Sequence, residues 1–173
     1  MRKLYLCSLA FIFCFASPTM ASKTGLENLV PEAALVGEGR LNYMIWEVYD
    51  AALFAPKGQW DQDKPFALKL SYLRSLKGKA IADRSVEEMR KQGFSDEVKL
   101  ATWHSQMREI FPDVDADVSI TGIRTENGET VFYKNNEEIG RIRDLEFSKT
   151  FFNIWLSPKT SEPELRAQLL SLK

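Results

Sequence analysis

Few side chains in this sequence carry the means for chemistry, and those that do stand singly. The chain has one histidine, His104, a residue type that can act as a general base near neutral pH. It lies one position beyond Trp103, at the edge of an apolar helical stripe, with no partner evident in the sequence. That setting favours a partly exposed residue on a helix surface. Arg40 stands in a strand-forming stretch after Gly37-Glu38-Gly39, with apolar residues following. A guanidinium drawn into an apolar setting needs an anion to offset its desolvation, so Arg40 is a candidate anchor for a carboxylate or phenolate. The plainer reading is an edge arginine in water. Tyr49 could aim its hydroxyl as a donor into a ligand cleft shared with Arg40, or end as a core tyrosine with a satisfied tip. Arg40 and Tyr49 are the candidate ligand-binding residues.

Other constellations fail on spacing. Gly37-Glu38-Gly39-Arg40 lacks the pattern and the strand-to-helix context of a phosphate loop. Glu87-Glu88 and Glu137-Glu138 are adjacent acids whose side chains diverge on any regular element, and both pairs read as solvated. Phe151, Phe152, Trp155 and Leu156 have helical spacing and read as core rather than as a cofactor box. Both cysteines, Cys7 and Cys14, fall in an N-terminal segment that reads as removable. Without them a thiol nucleophile, a disulfide exchanger and a cysteine zinc site all lack their residues. No metal, no cofactor and no catalytic residue is assigned.

That segment has the parts of a secretory signal. Arg2 and Lys3 precede an apolar run from Leu4 to about Ala16, Pro18 breaks the run, and Thr19-Met20-Ala21 offers small residues for cleavage after Ala21. The run is shorter than the roughly 20 residues a bilayer span needs. Cys14 follows bulky Phe11, Ile12 and Phe13, which argues against a lipoprotein. Cleavage leaves residues 22–173 as one domain, long enough to bury roughly two-thirds of its unfolded surface by packing alone. Losing Arg2 and Lys3 takes the 23 basic residues to 21 against 24 acidic ones, a net of −3 with the signs interspersed. No basic stripe suited to nucleic acid is present, and no membrane span is expected after signal cleavage. The expected location is the bacterial periplasm or the medium.

The elements that must position Arg40 and Tyr49 follow from periodicity. From Leu35 to Ala55 apolar and β-branched content is high, and in Val48–Phe54 both alternating sets are mostly apolar. Pro56-Lys57-Gly58 ends that stretch, and Phe66, Leu68, Leu70 and Tyr72 then share one face of a half-buried strand. A helix over about Lys79–Gln92 carries a capping-box pattern at Ser85 and Glu88 and closes at Gly93. Ser95 is positioned to cap a second helix with an apolar stripe of Leu100, Trp103, Met107 and Ile110, stopped by Pro112. Asn127-Gly128 marks a two-residue hairpin turn with positive φ at both centres, and Asn135-Asn136 a second reversal. Helices from Asp144 to about Leu156 and from Glu162 to Leu172 finish the chain. Strands, helices, strands, helices in that order imply an α+β domain, a large antiparallel sheet with helices over one face. The cleft between the two layers is the default ligand site.

At this point the residues carry a resemblance. Gly37-Glu38-Gly39-Arg40 leading into Trp46–Ala55 resembles the opening strand pair of the chalcone isomerase-like proteins. The likeness runs on through Phe66–Leu73 and Ala80–Ser85 and ends in Phe151–Ser161, which is similar to the C-terminal signature of the exported bacterial branch. The resemblance implies an open-faced β-sandwich. It also implies a cleft in which plant relatives close a chalcone to a flavanone and non-catalytic relatives bind fatty acids. In both groups an arginine after a glycine-rich first strand meets the ligand's anionic end, and Arg40 matches it. Where the enzymes have a threonine, a tyrosine and an asparagine, this chain has Tyr49, Phe94 and Ala101. Phenylalanine and alanine neither donate nor accept a proton, so the resemblance implies binding rather than turnover.

The expected function is a non-catalytic exported protein that holds a small amphiphile, an acyl or aromatic acid, in the sheet–helix cleft. The alternatives are an isomerase or lyase acting on an unsaturated carbonyl compound, and an envelope module that docks a protein partner through its open sheet face or an exposed Trp60 region.

Overall fold

The computed structural model describes residues 25–172. The expected signal, its cleavage point and both cysteines lie outside the described residues. Within them six strands form one antiparallel sheet in which each strand lies beside its neighbour in sequence. These are β1 (Ala33–Tyr43), β2 (Trp46–Pro56), β3 (Phe66–Tyr72), β4 (Ser119–Arg124), β5 (Thr130–Lys134) and β6 (Glu137–Ile142). A short α1 (Gly25–Leu29) precedes the sheet. Two helices, α2 (Gly78–Lys91) and α3 (Glu97–Ile110), are inserted between β3 and β4, and α4 (Leu145–Leu156) and α5 (Pro163–Leu169) follow β6. The expected α+β sandwich, open on one side, is the architecture observed.

The inner face of the sheet is written in period two. Tyr49, Ala51, Leu53 and Ala55 of β2 are buried, as are Phe66, Leu68, Leu70 and Tyr72 of β3. The other set on β2, Val48, Asp50, Ala52 and Phe54, is only half-buried. On that outer face the short α1 brings Leu26 and Leu29, with Phe54, against a small cluster of Val30, Ala67 and Ile123. Beyond it Ser119, Thr121 and Val131 are also buried on this face, while Lys69, Glu138 and Arg141 are exposed.

Opposite the sheet the stripes of α3 and α4 interlock through aromatic rings. Phe132 of β5 meets Phe111 edge-on at 5.0 Å and Phe151 at 5.3 Å, while Trp103 meets Phe147 at 5.6 Å. Edge-to-face pairs set each ring's positive rim against its neighbour's negative face. Asp144 caps α4 by accepting from the backbone N–H groups of Glu146 and Phe147, and its other oxygen accepts from Trp103 Nε1 at 3.0 Å.

The glycines of β1 are explained by α5. A methyl group on Gly37 would stand 2.2 Å from the Gln168 carbonyl oxygen, and one on Gly39 would meet the Gln168 side chain. The backbone of α5 lies directly on β1, and only a residue without Cβ permits that approach at Gly37. Gly37→Ala is expected to destabilise the fold by about 1–3 kcal/mol, the usual range for overpacking, read as a lower midpoint in urea unfolding. An unchanged midpoint would mean that α5 can move away at no cost.

Several local expectations need correction. Ser85 and Glu88 do not cap α2, because the helix begins seven residues earlier at Gly78. The Gly78 N–H instead donates to Asp113, and the Ser85 hydroxyl donates back to the Ile81 carbonyl. Asp96, not Ser95, caps α3, accepting from the Lys99 N–H. At Asn127-Gly128 only Gly128 has positive φ, and its N–H donates to Thr125. The β4–β5 connection is therefore a longer loop closed by a left-handed glycine. Trp60 is not exposed: it packs edge-on against Phe66 at 6.0 Å, beside the main core.

Candidate functional site

Toward β4–β6 phenylalanines fill the space between sheet and helices. Toward β1–β3 they do not. There α2 faces the sheet with Ala80, Ile81 and Ser85, side chains too short to close the gap, and a cavity of about 320 Å³ remains. Its walls are apolar, with Leu70, Tyr72 and Ile120 on the sheet side and Ile81, Ile154 and Trp155 on the helix side. A concave apolar cavity with a few convergent polar groups is the usual form of a small-molecule site.

Tyr49 lines this cavity. Its hydroxyl oxygen accepts a hydrogen bond from Trp155 Nε1 at 2.9 Å, which leaves the hydroxyl proton for a second partner. Burial is the main influence on this hydroxyl and pushes it well above the ordinary tyrosine range, so it stays neutral at physiological pH. Tyr72 packs against its ring edge-on and is pushed up for the same reason, with Tyr49 adding to the effect.

The polar wall comes from α2 and the segment before α5. Arg84 pairs with Glu88 at 2.6 Å, Lys91 pairs with the same carboxylate at 2.9 Å, and the Ser161 hydroxyl donates to its other oxygen. Burial alone would raise the Glu88 carboxyl. The Ser161 and Lys91 hydrogen bonds and the Arg84 charge outweigh that and hold it below the usual range. Glu162 lacks such a set of donors, and burial pushes its carboxyl up. Arg74, also on the lining, places its guanidinium 4.9 Å from the centre of the Trp46 ring. It makes no ion pair among the described residues, unlike Arg84.

Arg40 does not join Tyr49. It pairs in register with Asp50, one residue out of phase with the Leu41–Tyr49 pair, so its side chain leaves the opposite face of the sheet. There it makes a two-pronged contact with Asp50, at 2.6 and 3.0 Å, and a further ion pair with Glu47. The expectation of one cleft holding both residues is corrected by this register. The arginines on the cavity are Arg74 and Arg84.

The remaining sequence candidates lie away from the cavity. His104 is half-buried on α3 as expected for a surface residue, yet it has a partner, Asp83 of α2, at 2.6 Å. Phe94 tilts against Trp103 at 4.9 Å and Ala101 is exposed. Neither lines the cavity, so their inert chemistry does not bear on it. The Glu87-Glu88 pair was expected to be solvated, but only Glu87 is. Neighbours on a helix point about 100° apart, and Glu88 turns inward. The spacing of Ile81, Ser85 and Glu88, at i, i+4 and i+7, was the sequence signal that could have found it.

The family model described as chalcone isomerase-like matches residues 27–171. The chain belongs to that family. No curated protein matches the chain. Among solved structures, an Arabidopsis thaliana fatty-acid binding protein is similar with a TM-score of 0.64 at 10% identity, covering 81% of this chain and 87% of that one. At such identity the likeness is one of fold, and it agrees with the family's sheet-and-helix architecture; a fold by itself does not carry a function.

Proposed function

We propose that this member of the chalcone isomerase-like family is an exported, non-catalytic binding protein that holds a small amphiphile in the cavity beside Tyr49. The observation that carries the reading is the cavity itself, an apolar space of about 320 Å³ between two layers packed closely elsewhere. A ligand's apolar body fits between Leu70 and Ile154. Its oxygen can accept a hydrogen bond from the Tyr49 hydroxyl, and an anionic end meets Arg74, the lining arginine without a carboxylate partner among the described residues. Binding is favoured over turnover because the buried hydroxyl stays neutral and Glu88 is engaged by three donors, a poor state for accepting a proton. The solved protein of similar fold is named for fatty-acid binding, which makes acyl chains the first probes to try. The basic start, apolar run and cleavage motif at Ala21 support export, in a bacterial cell to the periplasm.

Native mass spectrometry on protein purified from its own cells is expected to give a chain beginning at Ser22 with a bound molecule of acyl or aromatic acid mass. Arg74→Ala is expected to weaken a titrated fatty-acid probe about 10- to 150-fold, the range of one charge-assisted hydrogen bond. An empty protein that binds no acyl probe would end this reading. Turnover of a chalcone panel by the wild type would replace it with the isomerase reading.

A further inference from the structure

The connection between β1 and β2 breaks two local rules at once. The strands are joined by a two-residue turn, Met44-Ile45, closed by the paired Tyr43 and Trp46. All four side chains are exposed: Tyr43 to 59%, Met44 to 85%, Ile45 to 86% and Trp46 to 54%. Such turns favour glycine, asparagine or aspartate, because at least one central residue takes positive φ. Here Met44 takes a φ of 55°. Methionine at that φ strains the turn, both central residues expose apolar surface, and neither packs against the core. A violation of local preference without a contact to offset it points to function.

The geometry points to this hairpin tip as a wedge that inserts into the surface of a lipid bilayer. The order aromatic, aliphatic, aliphatic, aromatic suits an interface: Met44 and Ile45 reach furthest, while Tyr43 and Trp46 settle at headgroup level with their polar edges in water. The tip also has a cation at the same level. Arg74 stacks on Trp46 and makes no ion pair among the described residues, whereas the nearby acids Glu47 and Asp50 are both bound to Arg40. A lipid phosphate is the group such an unpaired guanidinium takes. The tip is continuous with the cavity, for Tyr43 and Arg74 also line it. An inserted tip sets the cavity mouth against the bilayer, so an amphiphile can pass between them without crossing water. A protein partner fits less well. A stable protein interface takes about 800 Å² from each side, more than four side chains on a convex turn present.

The test is flotation of the delipidated protein, without added ligand, on vesicles of phosphatidylethanolamine and phosphatidylglycerol. The comparison is a double variant, Met44→Gly with Ile45→Asn, which puts the glycine at the centre with positive φ. That pair restores the preferred turn chemistry, so the variant should melt no lower than the wild type. The wild type is expected to float, and the variant to partition at least tenfold less. Ser85→Phe, which fills the cavity, should float like the wild type, which keeps this result separate from the ligand reading. Failure of the wild type to float, or equal flotation of the turn variant, overturns the proposal. Self-association abolished by the turn variant, with no vesicle binding, would assign the tip to a second copy of the chain and also overturn it.

Discussion

Replacing Ser85 by phenylalanine is expected to abolish binding of a fluorescent fatty-acid probe, by 100-fold or more, while leaving thermal stability unchanged or raised. Ser85 sits on the lining where α2 faces β3. Its hydroxyl bonds only to the Ile81 carbonyl of its own helix, at 2.8 Å. Losing that bond strands no partner, since the carbonyl keeps its ordinary helical donor, and such back-bonds contribute little. Larger core residues normally strain their surroundings by about 1–3 kcal/mol, but here the ring enters a cavity of about 320 Å³. Filling an apolar void restores dispersion contacts that its lining otherwise lacks. A variant that melts like the wild type and binds the probe equally well would place the ligand elsewhere on the protein. Isothermal titration together with a melting curve on one sample separates the two outcomes.

Asp144→Ala is expected to be the most damaging single change outside the cavity, at about 2–4 kcal/mol. One carboxylate oxygen caps α4 through two backbone N–H groups, and the other holds the Trp103 indole. Loss of a cap costs about 1 kcal/mol, and a buried indole N–H left unpaired costs about 1–3 kcal/mol more. Trp103 is fully buried between Phe94 and Phe147, so no water readily replaces the acceptor. In a domain of this size the melting temperature should fall by roughly 4–16 °C. Asp144→Asn should recover the cap and, at most, part of the Trp103 bond, landing between the two. A loss below about 1 kcal/mol in the alanine variant would show that the indole finds another acceptor.

The same carboxylate gives the protein an acid limit. Burial, the largest influence on Asp144, would raise it, but the Trp103 indole, the Phe147 and Glu146 N–H groups and Lys99 together hold it below the ordinary aspartate range. A depressed folded-state value means stability that is complete above the unfolded value of about 3.9 and is lost as pH falls through the folded one. The wild type should therefore lose stability below about pH 4 more steeply than Asp144→Ala, which lacks this group. Urea midpoints measured between pH 6 and pH 3 check the sign.

How much of this was legible in the chain can be read from particular residues. Phe66, Leu68, Leu70 and Tyr72 declared their shared face because β3 buries one side and alternation has a period of two. Leu100, Trp103 and Met107 declared theirs by helical spacing. The hairpin at Met44-Ile45 was silent, because its turn carries none of the glycine, proline or asparagine that usually announces one. Glu88 was hidden by its neighbour Glu87, which does face water.

Arg40 is the instructive case. Its residue type and its place after two glycines were plain, but the face it occupies was not. A shift of one residue exchanges the two faces of a strand. The β1–β2 pairing slips twice, between Leu35 and Gly37 and between Leu41 and Asn42. No count along the chain survives those bulges, whose positions are set by strand pairing rather than by local preference. The sequence by itself determined the inner faces, the helix stripes and the layered architecture, because each is a periodic pattern read within a few residues. Only the tertiary structure decided which charges meet the cavity and which apolar residues are left outside. Those follow from register, from α5 lying on Gly37, and from the space that Ala80 and Ser85 leave open opposite β3, all contacts between residues far apart in the chain.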